Sequence, residues 1–134
     1  MEEGLRRVRV LRAMKRGEDG LPKPGASART LGVRATIDIP VDEDEYVWPE
    51  MGGMSVSPPP PENLSPWRRP PEFGGTSKDT LWELDTDQLP DALRYRPDPD
   101  NPDAHGFIEP SRPMTFEEYQ RALHGSRGLW TLVG

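Results

Sequence analysis

The segment His105-Gly106-Phe107-Ile108-Glu109-Pro110-Ser111-Arg112-Pro113-Met114 runs directly into Thr115-Phe116-Glu117-Glu118-Tyr119-Gln120-Arg121-Ala122-Leu123-His124. Residues 105–109 read as a short strand, closed by Pro110, which cannot continue a ladder. Residues 116–124 read as a helix. Thr115 is a good N-cap, and Glu118 three positions later completes a capping box. Met114 and Tyr119 stand where a hydrophobic staple places its two apolar residues. Phe116, Tyr119 and Leu123 share one helical face, and Gly125 and Gly128 offer stops. A strand passed so quickly to a helix, with no room for a parallel crossover, indicates an α+β fold with a mainly antiparallel sheet.

Working outward, the rest of the chain supplies further short strands and long links. Arg6 to Met14 alternates basic and apolar residues and reads as a strand, with Arg7 and Arg9 on one side and Arg12 on the other. Gly17 to Ser27 is loop. Val33 to Ile39 alternates again and predicts a strand. Asp42 to Glu45 is an acidic, solvated loop without the glycine turn of a calcium site. Gly52-Gly53 before Met54-Ser55-Val56 predicts a turn where backbone passes close to a neighbour. Pro49 to Pro71 is rich in proline, including the run Pro58 to Pro61. It reads as polyproline-like or irregular chain crossing the surface, or as a docking ligand for a partner, and not as a central strand. Thr80 to Leu84 is a strand and Asp85 to Gln88 a turn. Leu89 to Tyr95 combines one helical turn with an extended stretch, and Leu129 to Val133 is an apolar strand or a docked tail. The count is five or six strands and one or two short helices.

Composition limits what the chain does. Its 134 residues are one domain, 1–134, by length. Seventeen Lys and Arg against 23 Asp and Glu leave a net charge of −6, which argues against a general phosphate-tracking nucleic-acid binder. Glycine and proline together fill 30 positions and only 33% of residues are apolar, which leans toward disorder. Four Trp, three Tyr and three Phe oppose that and predict a loop-rich folded domain. Cysteine is absent, which removes disulfides, thiolate metal sites and cysteine nucleophiles, and fits a reducing cytoplasm. No apolar run is long enough to span a membrane. Met1 to Arg16 lacks the apolar stretch of a secretory signal.

Few residues invite chemistry. No phosphate loop, dinucleotide fingerprint, zinc helix or nucleophile elbow is present, and no metal site is expected. Glu117 and Glu118 complement the helix dipole, and His124 suits the helix C-terminus. His105 follows a proline-rich loop beside a glycine. It reads either as a strand-edge histidine or as a residue facing a ligand. A triad drawn from Ser55, His105 and a carboxylate lacks an elbow and an oxyanion loop.

The order of the pieces from about Val10 to Met114 resembles the ADP-ribosyltransferase-like toxins typified by the type VI secretion exported effector two. The carrying residues are Leu11-Arg12-Ala13, then Gly52-Gly53-Met54-Ser55-Val56, then Leu81-Trp82-Glu83-Leu84 through Leu89-Pro90 and Leu93. The last block is His105, Ile108, Pro110, Pro113 and Met114. The resemblance implies a small split β-sandwich with an NAD cleft. It implies NAD as the substrate, with Arg12 clamping phosphate or ribose, Ser55 holding the nicotinamide ribose, and Gly53 letting backbone meet the nicotinamide amide. His105, with Glu109 as the carboxylate of matching strand parity, stands where most ADP-ribosyltransferases carry glutamate. A toxin acting in the cytoplasm is implied, delivered by a secretion system and held in check by a cognate antitoxin or immunity protein. Without the usual glutamate, a toxin that binds a target protein and has lost the transfer chemistry is the alternative.

Overall fold

The structure is a computed structural model and describes residues 8–133. Its described strands are β1 (Arg9–Met14), β2 (Tyr46–Val47), β3 (Met54–Val56), β4 (Thr80–Asp85), β5 (Leu93–Pro97), β6 (Gly106–Pro110), β7 (Met114–Thr115) and β8 (Thr131–Leu132). One α-helix, α1 (Phe116–Gly125), stands among the described residues beside several single 3₁₀ turns. Two of the basic residues read into the first strand, Arg6 and Arg7, lie outside the described residues.

All named pairings are antiparallel. One sheet has the order β1-β4-β8 and the other β3-β6-β5, with the ribbon β2-β7 leading into the helix. The sheets meet at one bridge, where the Leu11 and Ser57 backbones exchange hydrogen bonds of 2.7 and 3.0 Å. Past that bridge β1 and β3 part, and the fork between them positions the site.

The strand β1 is buried on both sides, which explains its imperfect alternation. Val10 and Met14 enter the main core with Trp82, Ile108, Tyr119 and Trp130. Leu11 and Ala13 pack on the opposite side against Leu64 and Leu81. The Trp82 indole donates to the Met14 carbonyl at 3.0 Å, so its one polar atom is satisfied in the core.

The helix forms where the sequence predicts it. Glu118 N–H donates to Thr115 Oγ1 at 3.1 Å, and Thr115 N–H donates to Glu118 Oε1 at 3.1 Å. Tyr119 and Leu123 are its buried residues. The Tyr119 hydroxyl donates to the Ile108 carbonyl at 2.5 Å and accepts from Met54 N–H at 3.1 Å. One phenol thus ties α1 to β3 and β6 together.

Two sequence expectations are corrected. Residues 33–39 are a turn and not a strand. Asp38 takes the Arg34 N–H at 2.7 Å on its carboxylate, and Thr36 sits at φ 66°. A side-chain acceptor there outcompetes a ladder. The proline-rich span holds no central strand: β3, the strand within it, lies between Pro49 and Pro58 at the edge of the order β3-β6-β5. Of the two readings of the run from 58, irregular chain is the one that forms. Pro61, Pro66 and Pro71 each open a 3₁₀ turn, where their fixed φ is an advantage. Residues 89–92 form a turn closed by Leu93 N–H on the Pro90 carbonyl at 3.0 Å, with no helical turn. Among the described residues no helix is long and apolar enough to cross a membrane.

Candidate functional site

The fork between β1 and β3 opens into a cleft of about 390 Å³. Arg12 from β1, Ser55 from β3 and His105 from the residue before β6 all line it. These three are far apart in sequence. The split of the two sheets brings them together.

Arg12 is only 4% exposed. Its Nη1 donates to the Ser55 carbonyl at 2.8 Å and its Nη2 to the Thr30 carbonyl at 2.8 Å, with a longer bond from Nε to the same oxygen. The guanidinium therefore props the fork open by satisfying carbonyls that have no strand partner. Each of these acceptors is a neutral carbonyl. Burial, reinforced by the neighbouring charge of Arg68, lowers its pKa to about 9, so it remains a cation at neutral pH.

Ser55 sits between Met54 and Val56, whose side chains enter the core. Strand alternation turns the serine to the other face, where it pairs across the ladder with Phe107. The His105 ring packs edge-on against Phe107 with centroids 4.9 Å apart. His105 Nδ1 lies 2.8 Å from Asp98 Oδ2. Their backbones are also joined, Asp98 N–H donating to the His105 carbonyl at 2.9 Å. The Asp100 N–H, then the imidazole, hold the Asp98 carboxyl below its ordinary pKa. A carboxylate on Nδ1 favours the proton there and leaves Nε2 as the free acceptor.

The other two predicted residues, Gly53 and Glu109, are not among those lining the cleft. Gly53 has φ 149°, and a Cβ there would stand 2.7 Å from the Ile108 carbonyl. The close approach the double glycine predicts is made to β6. Glu109 is fully buried. Its carboxylate accepts from Arg94 Nε at 2.6 Å, Arg96 Nε at 2.9 Å and Glu50 N–H at 2.8 Å. It shares the face of Phe107, as strand parity requires, and locks β6 to β5.

Sequence reading passed over four lining residues: Arg34, Asp38, Trp67 and Arg68. Arg34 and Asp38 form a two-bond pair, at 3.1 and 2.9 Å. Burial alone would raise the Asp38 pKa, but its bonds from Arg34 bring it below the ordinary value. Arg68 donates to the Ala28 carbonyl at 2.7 Å and has its pKa lowered by burial. A tryptophan beside an arginine inside a proline-rich crossing was the available signal.

The lining thus holds three arginines and one aspartate, and that aspartate is spent on Arg34. In a chain of net charge −6 the cleft is locally cationic. It suits a molecule that carries negative charge and presents hydroxyls.

A family model described as Tse2 ADP-ribosyltransferase toxin matches residues 12–127, a span that opens on Arg12 and includes Ser55 and His105. No curated protein and no solved structure gives a match.

Proposed function

The chain belongs to the Tse2 ADP-ribosyltransferase toxin family, and we propose that it binds NAD in the fork between β1 and β3 and breaks the bond from the ribose to nicotinamide. The ADP-ribose then passes to a target or to water. The observation that carries this reading is the convergence of Arg12, Ser55 and His105, with two further arginines, on one cleft.

Each residue has a role suited to its surroundings. Arg12 keeps the fork open and supplies fixed positive charge toward the diphosphate. The Ser55 hydroxyl orients a ribose. As nicotinamide leaves, positive charge grows on the ribose carbon. His105, with Asp98 on Nδ1, offers Nε2 to accept a proton from a ribose hydroxyl or from the incoming nucleophile. Asp98 is a positioning residue. Glu109 acts through the strand it locks. The protein works in the cytoplasm of the cell it enters, reached through a secretion system. A cognate antitoxin or immunity protein covers the cleft in the producing cell.

The test is induced expression of the parent and of His105→Ala, with growth and cellular NAD followed together. His105 is partly exposed, so its removal should leave the fold intact. The parent should arrest growth while NAD falls or ADP-ribosylated product appears, and His105→Ala should do neither. Arrest by both with NAD untouched would support a toxin that acts by protein contact and end the transferase reading.

A further inference from the structure

Trp67 and Arg68 stand side by side on a 3₁₀ turn, Pro66–Arg68, at the wall of the cleft. The turn is firmly held. Arg68 N–H donates to the Ser65 carbonyl at 2.8 Å, Thr76 N–H to the Pro66 carbonyl at 2.9 Å, and Ser77 N–H to the Arg69 carbonyl at 2.8 Å. Trp67 is nevertheless 70% exposed. A large indole on a rigid turn at the edge of a cleft, with most of its face in water, is a surface for a flat ligand group.

The charges point to the other half of that ligand. Arg12 and Arg68 line the same cleft, and no carboxylate hydrogen-bonds to either among the described residues. Their mutual repulsion contributes to the lowering at Arg12. An anion between them would relieve both: Arg12, its donors held by carbonyls, offers fixed charge, and Arg68, bonded through Nη2 to the Ala28 carbonyl, offers donors to a diphosphate.

Resting on the NAD reading above, we infer that Trp67 and Arg68 form the adenosine diphosphate subsite. Arg68 pairs with the diphosphate opposite Arg12, and Trp67 stacks on the adenine. Because the two are adjacent on one turn, a nucleotide whose diphosphate reaches Arg68 brings its base within range of Trp67. The Ser55 and His105 end is left for the bond that breaks.

Calorimetric titration of the purified chain with inorganic pyrophosphate, ADP and NAD tests the assignment. The parent should bind all three. Arg68→Gln should weaken all three by tenfold or more. Trp67→Ala should weaken ADP and NAD roughly tenfold and leave pyrophosphate within about twofold, because only the first two carry a base to stack. Arg68→Lys keeps the charge and loses the fork. It should fall between parent and Arg68→Gln, and it serves if Arg68→Gln does not fold. NAD binding by Arg68→Gln equal to the parent overturns the subsite while leaving the NAD reading in place. Pyrophosphate bound through Arg68 with no NAD binding by the parent overturns the NAD reading and keeps the anion site. A parent that binds none of the three overturns both.

Discussion

Arg12 shows how one side chain serves structure and site at once. It is buried against the Ser55 carbonyl of β3 and the Thr30 carbonyl of the loop beside it, so a neutral replacement would remove the prop of the fork and strand those oxygens. Asp98 is the gentler probe of chemistry. Asp98→Asn keeps the shape of the loop and changes what His105 Nδ1 meets. Under the proposed mechanism NAD consumption should fall by up to about a hundredfold, since misplacing a reacting group by about 1 Å has that effect. The melting temperature should stay nearly constant. An unchanged rate would remove Asp98 from its positioning role. Glu109 gives the opposite pattern. Glu109→Gln leaves two arginines without their buried counter-charge and should cost about 3 kcal/mol, read as a fall in melting temperature of roughly 10 °C. Arg12, Ser55 and His105 were legible because each lies in a short motif whose order in the chain is meaningful. Asp98 and Arg68 were not. Asp98 sits in a proline-rich loop that reads only as loop, and nothing local says that its carboxylate turns back onto His105. Arg68 reaches the cleft only because the folded crossing bends over β1.

At the scale of elements, α1 is held by its cap and by Tyr119. Thr115→Ala removes the side chain that accepts from Glu118 N–H and should cost about 1 kcal/mol in denaturant unfolding. Tyr119→Phe strands Met54 N–H and the Ile108 carbonyl in the core and should cost about 1–3 kcal/mol. The Tyr119 change should also reduce NAD binding, because β3 carries Ser55 and is fastened through that phenol. If Tyr119→Phe is the milder of the two in stability, the phenol does not tie the helix to β3 and β6 as described. The helix, its cap and β4 were legible because each depends on neighbours in sequence. The turn at 33–39 was not, because the alternation of Val33, Ala35 and Ile37 imitates a strand while Asp38 closes the backbone on itself. The 3₁₀ turns after Pro58 were missed for a related reason. A proline fixes its own φ but leaves open whether the next residues extend or fold back.

Across the whole molecule, carboxylates govern the response to acid. Asp19, Asp98 and Glu118 are held below their ordinary values first by backbone N–H donors, and Asp42 first by the Trp48 indole. Asp38 joins them through Arg34. With folded values depressed, the unfolded chain binds more protons as pH drops below about 4. Their stabilisation is complete above the unfolded values and is lost as pH falls through the folded ones. Denaturant midpoints should therefore hold from pH 7 to 5 and fall steeply from pH 5 to 3. A flat profile would mean these bonds are absent in solution. Arg12 has the same sign in a different pH window. Its lowered folded value makes stability rise with pH above about 9.

The central claim is that NAD enters the fork between the two sheets. Backbone amide NMR of the labelled chain, titrated with NAD, locates the ligand directly. The account predicts shifts concentrated at Leu11 to Ala13, Ser55 to Ser57, Trp67 and Arg68, and Asn101 to His105, with the outer edge at β8 undisturbed. Shifts confined to another face, or none at saturating NAD, would contradict it.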